Sequence, residues 1–400
     1  MPQLWKAKPY KKLNSIKKIK IPRLANNLKY LTHLFYLSLF SFYLMKHSHK
    51  TVTIRQLDRF VQDLKHILIW TKLPGIEKEG QVELIDRRCD YWNCYFTKNR
   101  TLLEDMKYFD AIIFNAQEVS KGMKDLPKER GRTQKFIFAA NDSADNYPVC
   151  DPVYDNFFNW TWTYRIDSII PYGFISVYNL DGIELGNNFQ FKHNMKSLNL
   201  AQMHHMTVNA RQKAAAIFLE KCKSRSRREK FIEELQKALT KYNLTVDVYG
   251  QCGPYKCKRK SMKSCNFRLK KTYFFYLALE DSIAEDFITD VVLPAYKNDI
   301  VPIVYGGAKY DRFLPYNSYI DARKHNISTL AKMMNGIMED GTRYYEFFRW
   351  KNHYTVESAN ILDPCSLCEQ LNRPLLKPQA PVKIPLGRHS AQIAQSKDKY

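Results

Sequence analysis

Two apolar periods share this chain. Between Asp110 and Gly173 short strand-like runs recur, at Asp110–Phe114, Lys135–Ala140 and Ile169–Gly173. Helical connections could fit between some of them, so this stretch reads as an α/β domain up to about Asn199. From Ala210 the order sharpens. Ala214–Leu219 is a strand, and Arg228–Tyr242 is an amphipathic helix with Phe231, Leu235, Leu239 and Tyr242 on one face. Leu244–Tyr249 is the next strand, ended by Gly250. Strand, helix and strand in about 35 residues is a βαβ unit and implies a parallel sheet. Tyr273–Leu279 and Ile300–Tyr305 add two strands. Ile288–Tyr296, Ile327–Met338 and Tyr344–Tyr354 read as helices, the first interrupted at Pro294. Arg55–Trp70 also has helical spacing, through Leu57, Val61, Leu64 and Leu68.

The pattern predicts an α/β protein of two successive units, over 81–205 and 206–372, facing a cleft. In open α/β sheets ligands sit outside the carboxyl ends of strands. Three such ends matter: after Leu219, after Leu279 and after Tyr305.

The apolar run Tyr30–Met45 changes the picture at the N-terminus. Its sixteen residues carry no formal charge, and the basic flank precedes it. It is shorter than the roughly 20 residues of a comfortable span. A buried helix or a signal-peptide core would share this pattern, but no A-x-A-like cleavage site follows. The positive-inside rule then makes 1–29 a cytosolic tail, 30–45 a signal-anchor and 46–80 a stem, with the body across the membrane. Such a short anchor suits the thin membranes early in the secretory path. From about residue 373 the chain is Pro- and Lys-rich and reads as an unfolded basic tail.

The net charge of +23 suggests nucleic acid until it is located. Residues 1–50 hold eleven Lys and Arg with no acid, and residues 251–271 hold eight more, again with no acid. Only +4 is left for the rest, so the body is close to balanced and no nucleic-acid partner is expected. Of nine cysteines, eight fall in three groups: Cys89, Cys94 and Cys150; Cys252, Cys257 and Cys265; Cys365 and Cys368. Disulfides suit a lumen; zinc is the weaker reading, because the single C-x-x-C has no matching pair. Sequons at Asn99, Asn141, Asn159, Asn243 and Asn326 agree with a luminal body.

Two corners carry chemistry. After Leu219 come Arg225, Arg227 and Arg228 at a helix start, where cations oppose the helix dipole unless an anion binds between them. After Leu279 come Glu280, Asp281 and Ser282, with Asp286 as a candidate N-cap. Carboxylates there would accept hydroxyls from a sugar or a ribose. Each corner also has a plain reading, a solvated basic turn and a set of caps.

Several motifs in order resemble the α1,3-fucosyltransferases that use GDP-fucose. The family's donor motif, approximately E-N-S-x-x-x-D-Y-[IV]-T-E-K, has its counterpart from Glu280-Asp281-Ser282 to Asp286-Phe287-Ile288-Thr289-Asp290-Val291. Pro302–Gly306, Arg312–Pro315, Asn159–Ser168, Pro171–Gly173, Val246–Gly253 and Cys365–Cys368 match further motifs, and the likeness covers roughly 80–372. It implies a GT-B architecture of two Rossmann-like domains, the first for an acceptor glycan and the second for GDP-fucose. It implies inverting transfer of fucose to the 3-hydroxyl of N-acetylglucosamine on glycoprotein N-glycans, at the Golgi membrane. GDP-fucose is the donor substrate, no cofactor is required, and a divalent metal is possible without being called for by any ligand set. By the same likeness Asp142 is the candidate base and Arg228 the phosphate-side cation. Arg165, Arg225, Tyr249, Glu280, Asp281, Ser282, Phe287, Thr289, Asp290 and Val291 are candidate donor contacts. Cys365 and Cys368 are expected to be oxidised to each other.

The chain departs from the family at telling positions. The family's Asn is Asp281, its Tyr is Phe287, its Glu is Asp290 and its Lys is Val291, while the base Glu becomes Asp142 and the Pro after it Ala144. A charge-assisted contact to a diphosphate is worth about 1.5–3 kcal/mol, so the missing lysine weighs most, unless the basic 256–271 loop replaces it. The second reading is therefore a diverged paralogue that binds nucleotide or glycan with little turnover.

Overall fold

A computed structural model describes residues 64–186, 189–206, 208–257 and 262–373. The expected cytosolic tail, the expected anchor, the expected stem up to residue 63 and the expected tail from residue 374 lie outside the described residues. Among the described residues no helix is long and apolar enough to cross a membrane.

The first sheet contains β1 (Lys65–Ile69), β2 (Cys94–Thr97), β3 (Ala111–Asn115), β4 (Lys135–Ala140), β5 (Trp160–Thr163) and β6 (Ile170–Pro171). All its pairings are parallel, in the order β2-β1-β3-β4-β5-β6. Successive residues feed opposite faces: Ile67, Ile113 and Ile137 enter one apolar cluster, Leu68, Ile112 and Phe138 another. This explains the apolar runs, since a parallel strand covered on both sides has no polar face. It also corrects the N-terminal reading. Of the helix expected over Arg55–Trp70, the described part is a strand, and residues 65–69 of the expected stem pair with both β2 and β3. The contiguous run Ile67-Leu68-Ile69-Trp70 buries both faces, which a one-sided helix would not.

The second sheet contains β8 (Lys213–Phe218), β9 (Val246–Tyr249), β10 (Tyr273–Leu279), β11 (Val301–Tyr305) and β12 (Ile320–Asp321), again parallel, in the order β12-β11-β10-β8-β9. The helix Arg228–Leu239 returns the chain from β8 to β9. It packs with the helix Ile327–Glu339 on one face, burying Leu235, Leu239, Leu330 and Met334 completely. The helix expected over Ile288–Tyr296 is cut to a 3-10 turn, Asp290–Val292, and the short helix Leu293–Lys297, where Pro294 fits a first turn that needs no N–H. In place of a helix over Tyr344–Tyr354 the chain forms the helix Gly341–Glu346, a 3-10 turn at Arg349–Asn352 and a strand from Tyr354.

Both sheets belong to one compact unit that begins at Leu64. The chain crosses between them on β7 (Ile175–Asn179), which pairs antiparallel with the returning β13 (Tyr354–Ser358). The last described helix, Pro364–Asn372, then packs against the first sheet, where Leu362, Leu367 and Cys368 join Ile67 and Trp162. The unit expected over 206–372 therefore gives its last helix to the first lobe.

The disulfides enforce that return and correct the expected pairing. Cys365 bonds Cys89 and Cys368 bonds Cys94, while Cys222 bonds Cys252 and Cys257 bonds Cys265. Cys365 and Cys368 stand one turn apart on a helix, where Cβ atoms are about 5–6 Å apart. A disulfide wants about 3.5–4.5 Å, and each cysteine meets a partner on the first lobe instead. Cys150 is free and exposed.

Candidate active site

Counted from the first strand of each sheet, the orders run 2-1-3-4-5-6 and 2-1-3-4-5, so the order reverses between β1 and β3 and again between β8 and β10. Ligands favour the crevice at such a switch point. At the second sheet the crevice is an open cleft of about 370 Å³, lined on one side by the turn after β8 and on the other by the segment after β10.

The turn after β8 brings Glu220, Lys221 and Arg228 to the cleft. The Cys222–Cys252 disulfide pins this turn to the end of β9. Arg228 opens the helix and is 8% exposed. Its Nη1 donates to the Leu279 carbonyl at 2.7 Å, and its Nε is buried with no partner. A buried guanidinium without a carboxylate is costly, and it is stabilised when an anion enters. Ser226 ties the helix start to the neighbouring corner, its Oγ donating to the Glu280 carbonyl at 2.7 Å.

The segment after β10 supplies Glu280, Asp281, Phe287, Thr289, Asp290 and Val291. Glu280 is 3% exposed and accepts from the Thr289 N–H at 2.7 Å and its hydroxyl at 2.9 Å. Burial pushes its carboxyl up to about 8, against the lowering effect of those bonds. Burial thus favours the protonated, neutral form of Glu280. Gly306, at the end of β11, makes room for it: a Cβ there would stand 2.9 Å from Glu280 Cγ and 2.7 Å from Tyr310 Oη. That Tyr310 hydroxyl is itself buried without a partner.

Asp142 reaches the cleft from the first lobe, just past β4. Its Oδ1 accepts from the Ser143 N–H at 2.7 Å and from Asn146 Nδ2 at 2.8 Å. Its Oδ2 has no donor among the described residues, as a general base requires. Asn146 Nδ2 also donates to Asp281 Oδ1 at 3.0 Å, and Lys221 Nζ stands 3.0 Å from Asp281 Oδ2. One polar chain, Asp142–Asn146–Asp281–Lys221, therefore crosses the cleft. Burial alone would raise the Asp281 carboxyl, but the Asn146 amide and the Lys221 ammonium hold it below its ordinary value. The bond to Asp281 raises Lys221 in turn.

The structure gathers Asp142, Arg228, Glu280, Asp281, Phe287, Thr289, Asp290 and Val291 around this cleft. The other candidates are engaged elsewhere. Arg165 forks onto Asp167 and reaches Glu285, which lift its guanidinium above its ordinary value. Arg225 turns to Asp145. Tyr249 is buried with its hydroxyl 2.8 Å from that of Tyr273. Ser282 is fully buried and donates to Ser143 Oγ at 2.6 Å. Phe287 lines the cleft but also wedges between Tyr164 and Phe174, with ring centroids at 5.0 and 5.7 Å. Asp286 is no N-cap: it has φ +59 and accepts from the Ile166 N–H, while Thr289 caps the following turn. Much of the donor motif thus fastens one lobe to the other.

Sequence reasoning missed Lys221, Asn146 and Glu220. Lys221 was legible as a cation two residues past a strand end, but strand order was needed to put it opposite Asp281. The stretch expected as a basic loop is helical over Met262–Thr272; Lys258, Arg259 and Lys260 lie outside the described residues, and Lys256 donates to the Gly250 and Gly253 carbonyls. Among the described residues no group of three His, Cys, Asp or Glu side chains is disposed to hold a metal ion. Asn99, Asn243 and Asn326 are exposed, Asn159 bonds to β4 and Gln134, and Asn141 lines the cleft, where an attached glycan would fill the space. A larger cavity, of about 460 Å³, lies among Tyr178, Phe189, Phe191, Arg312 and Asn360. It contains none of the candidate site residues, so the chemistry belongs to the smaller cleft.

Fold and cleft together define a two-lobed α/β protein with a switch-point site suited to an anionic, hydroxyl-rich ligand. The chain belongs to glycosyltransferase family 10, the fucosyltransferases. The profile "Fucosyltransferase, N-terminal" matches residues 62–174, and "Glycosyltransferase family 10 (fucosyltransferase) C-term" matches 208–384. The α-(1,3)-fucosyltransferase C of Drosophila melanogaster is 30% identical over 80% of this chain and 76% of its own length. An α-(1,3)-fucosyltransferase of Caenorhabditis elegans is 30% identical over 74% of this chain and 64% of its own. A solved α1,3-fucosyltransferase with GDP-fucose matches at a TM-score of 0.45 and 13% identity, covering 78% of this chain and 91% of that one.

Proposed function

We propose that the chain transfers fucose from GDP-fucose to the 3-hydroxyl of an N-acetylglucosamine on glycoprotein N-glycans, by direct inverting displacement in a GT-B arrangement. The reading rests on one observation: a buried arginine with an unpaired donor, a buried glutamic acid and an aspartate with one free oxygen share a switch-point cleft. In this scheme Arg228 neutralises charge on the departing diphosphate. Glu280 and Thr289 hold hydroxyls of the donor. Asp142 accepts the proton of the acceptor hydroxyl as it attacks the fucosyl C1. The body works in the lumen of the Golgi, tethered by the segment 30–45.

A second reading, a nucleotide- or glycan-binding protein of little turnover, draws on the valine at 291, the shortened acids at 142 and 290, and the acid at 281. A carboxylate drawn back by one methylene shifts about 1 Å, and such a displacement can cost roughly 100-fold in rate. The deciding experiment is a transfer assay with GDP-fucose against a panel of N-glycan acceptors, with Asp142→Ala beside it. We expect transfer by the wild type and a fall of about 10²–10⁴ in kcat for Asp142→Ala at unchanged GDP affinity. GDP binding with no transfer to any acceptor would establish the second reading instead.

A further inference from the structure

A nucleoside diphosphate brings at least two negative charges into a cleft already lined by Asp142, Asp281 and Asp290. Two cations face them among the described lining residues, and they differ in kind. Arg228 is buried and fixed, with Nη1 committed to the Leu279 carbonyl. Lys221 is exposed by comparison, its side chain 65% open to solvent, its backbone neighbour Cys222 anchored by a disulfide, and its Nζ resting on Asp281. Lys221 follows β8 and Asp281 follows β10, so the pair spans the crevice where the strand order reverses. At position 291, where the resemblance puts a lysine, this chain has a valine that lines the same cleft.

We propose that Lys221 is the exposed diphosphate-binding cation of this protein, held in place by Asp281 and taking the part that Val291 cannot. The inference deepens the donor reading and rests on it. An ammonium has three donors, so it can keep Asp281 with one and reach a phosphate oxygen with another. Asp281 then acts as a positioning residue, and Asn146 fixes Asp281 from the other lobe. A bland role competes with this one: Lys221 could do no more than neutralise Asp281.

Calorimetric titration of the full chain with GDP and with guanosine separates the two. The proteins are the wild type, Lys221→Ala, Lys221→Arg, Asp281→Asn and the double variant Lys221→Ala/Asp281→Asn. We expect Lys221→Ala to weaken GDP by about tenfold or more and to leave guanosine unchanged, with Lys221→Arg within about threefold of wild type. In the Asp281→Asn background the ammonium is present but less well held, so the loss of Lys221 still weakens GDP, by about threefold or more. The proposal is overturned if Lys221→Ala binds GDP within about twofold of wild type, if guanosine weakens equally, or if the cost of losing Lys221 vanishes once Asp281→Asn has removed the carboxylate. Failure of the wild type to bind GDP at millimolar concentration overturns the donor reading and this one together, whereas the other adverse outcomes leave the donor reading standing.

Discussion

Asn115 and Glu280 stand at the same place in two sheets that share the strand order 2-1-3-4-5, the carboxyl end of the third strand beside the switch point. Each is 3% exposed. Their surroundings differ. Asn115 donates its N–H to Thr71 Oγ1 and its amide to the Lys72 carbonyl, both at 2.7 Å, and its Oδ1 accepts from the Gln117 N–H. The first corner is sealed by the chain's own polar groups. Glu280 instead faces a cleft, between a guanidinium with an unpaired Nε and a tyrosine hydroxyl with no partner. One topology thus yields a closed joint in one lobe and an unfinished set of polar groups in the other. Strand order alone does not make a site; a buried polar surplus at the switch point does.

The sharpest test of that contrast is its pH dependence, because only the second corner carries an acid. Glu280 titrates near 8 when folded and near 4.5 when unfolded. Below pH 4.5 both states hold the proton and burial costs nothing. As pH rises toward 8 the unfolded chain releases its proton and the folded one keeps it, so stability falls; above 8 the loss is complete. Its full size is on the order of 5 kcal/mol. Glu280→Gln keeps an acceptor for Thr289 and removes the titration. Thermal melts should show the wild type losing stability between pH 5 and 8 relative to the variant, with the two converging near pH 4.5. Parallel pH profiles would show that Glu280 is already ionised in the folded protein.

Paired substitutions break the comparison from both sides. Asn115→Ala strands the Lys72 carbonyl and the Gln117 N–H, and should cost about 1–3 kcal/mol of stability while leaving GDP affinity alone. Arg228→Met should reverse that pattern. It removes a buried charge whose Nε has no partner, so stability should change less than in Asn115→Ala, while GDP affinity falls by about 10- to 100-fold. Denaturant midpoints beside GDP titrations check both. Equal stability losses with no difference in affinity would mean that the second corner is sealed too.

The parallel α/β units were legible because unbroken apolar strands and a helix of period 3.6 leave little choice. What was not legible depended on contacts distant in sequence. Lys65–Ile69 reads as part of a helix until β2 and β3 are known to flank it. Cys365 and Cys368 look like partners until the last described helix returns to Cys89 and Cys94, 276 and 274 residues back. In the site, the family likeness located the acids around Glu280, but it also marked Ser282, Arg165 and Arg225. The structure gives Ser282 to Ser143, Arg165 to Asp167 and Glu285, and Arg225 to Asp145. Ser143, Glu285 and Asp145 stand across the lobe junction from their partners, so a motif can mark the clamp between lobes as well as the ligand's contacts. Lys221 had no motif to announce it, because its meaning comes from Asp281, sixty residues on.

The smallest expected effect asks which corner of the cleft owns the exposed cation. Val291 lies on the 3-10 turn that Thr289 caps, partly buried against the second sheet's core. A lysine there can lay its stem along that apolar surface and put its ammonium into the cleft. With Lys221 present the new cation finds the diphosphate already served and repels its neighbour, so Val291→Lys should tighten GDP-fucose by no more than about threefold. In the Lys221→Ala background the same substitution should recover about three- to tenfold, because the place is then vacant. Equal gains in both backgrounds would mean that the two positions act independently, and that the β8 corner does not replace the β10 corner.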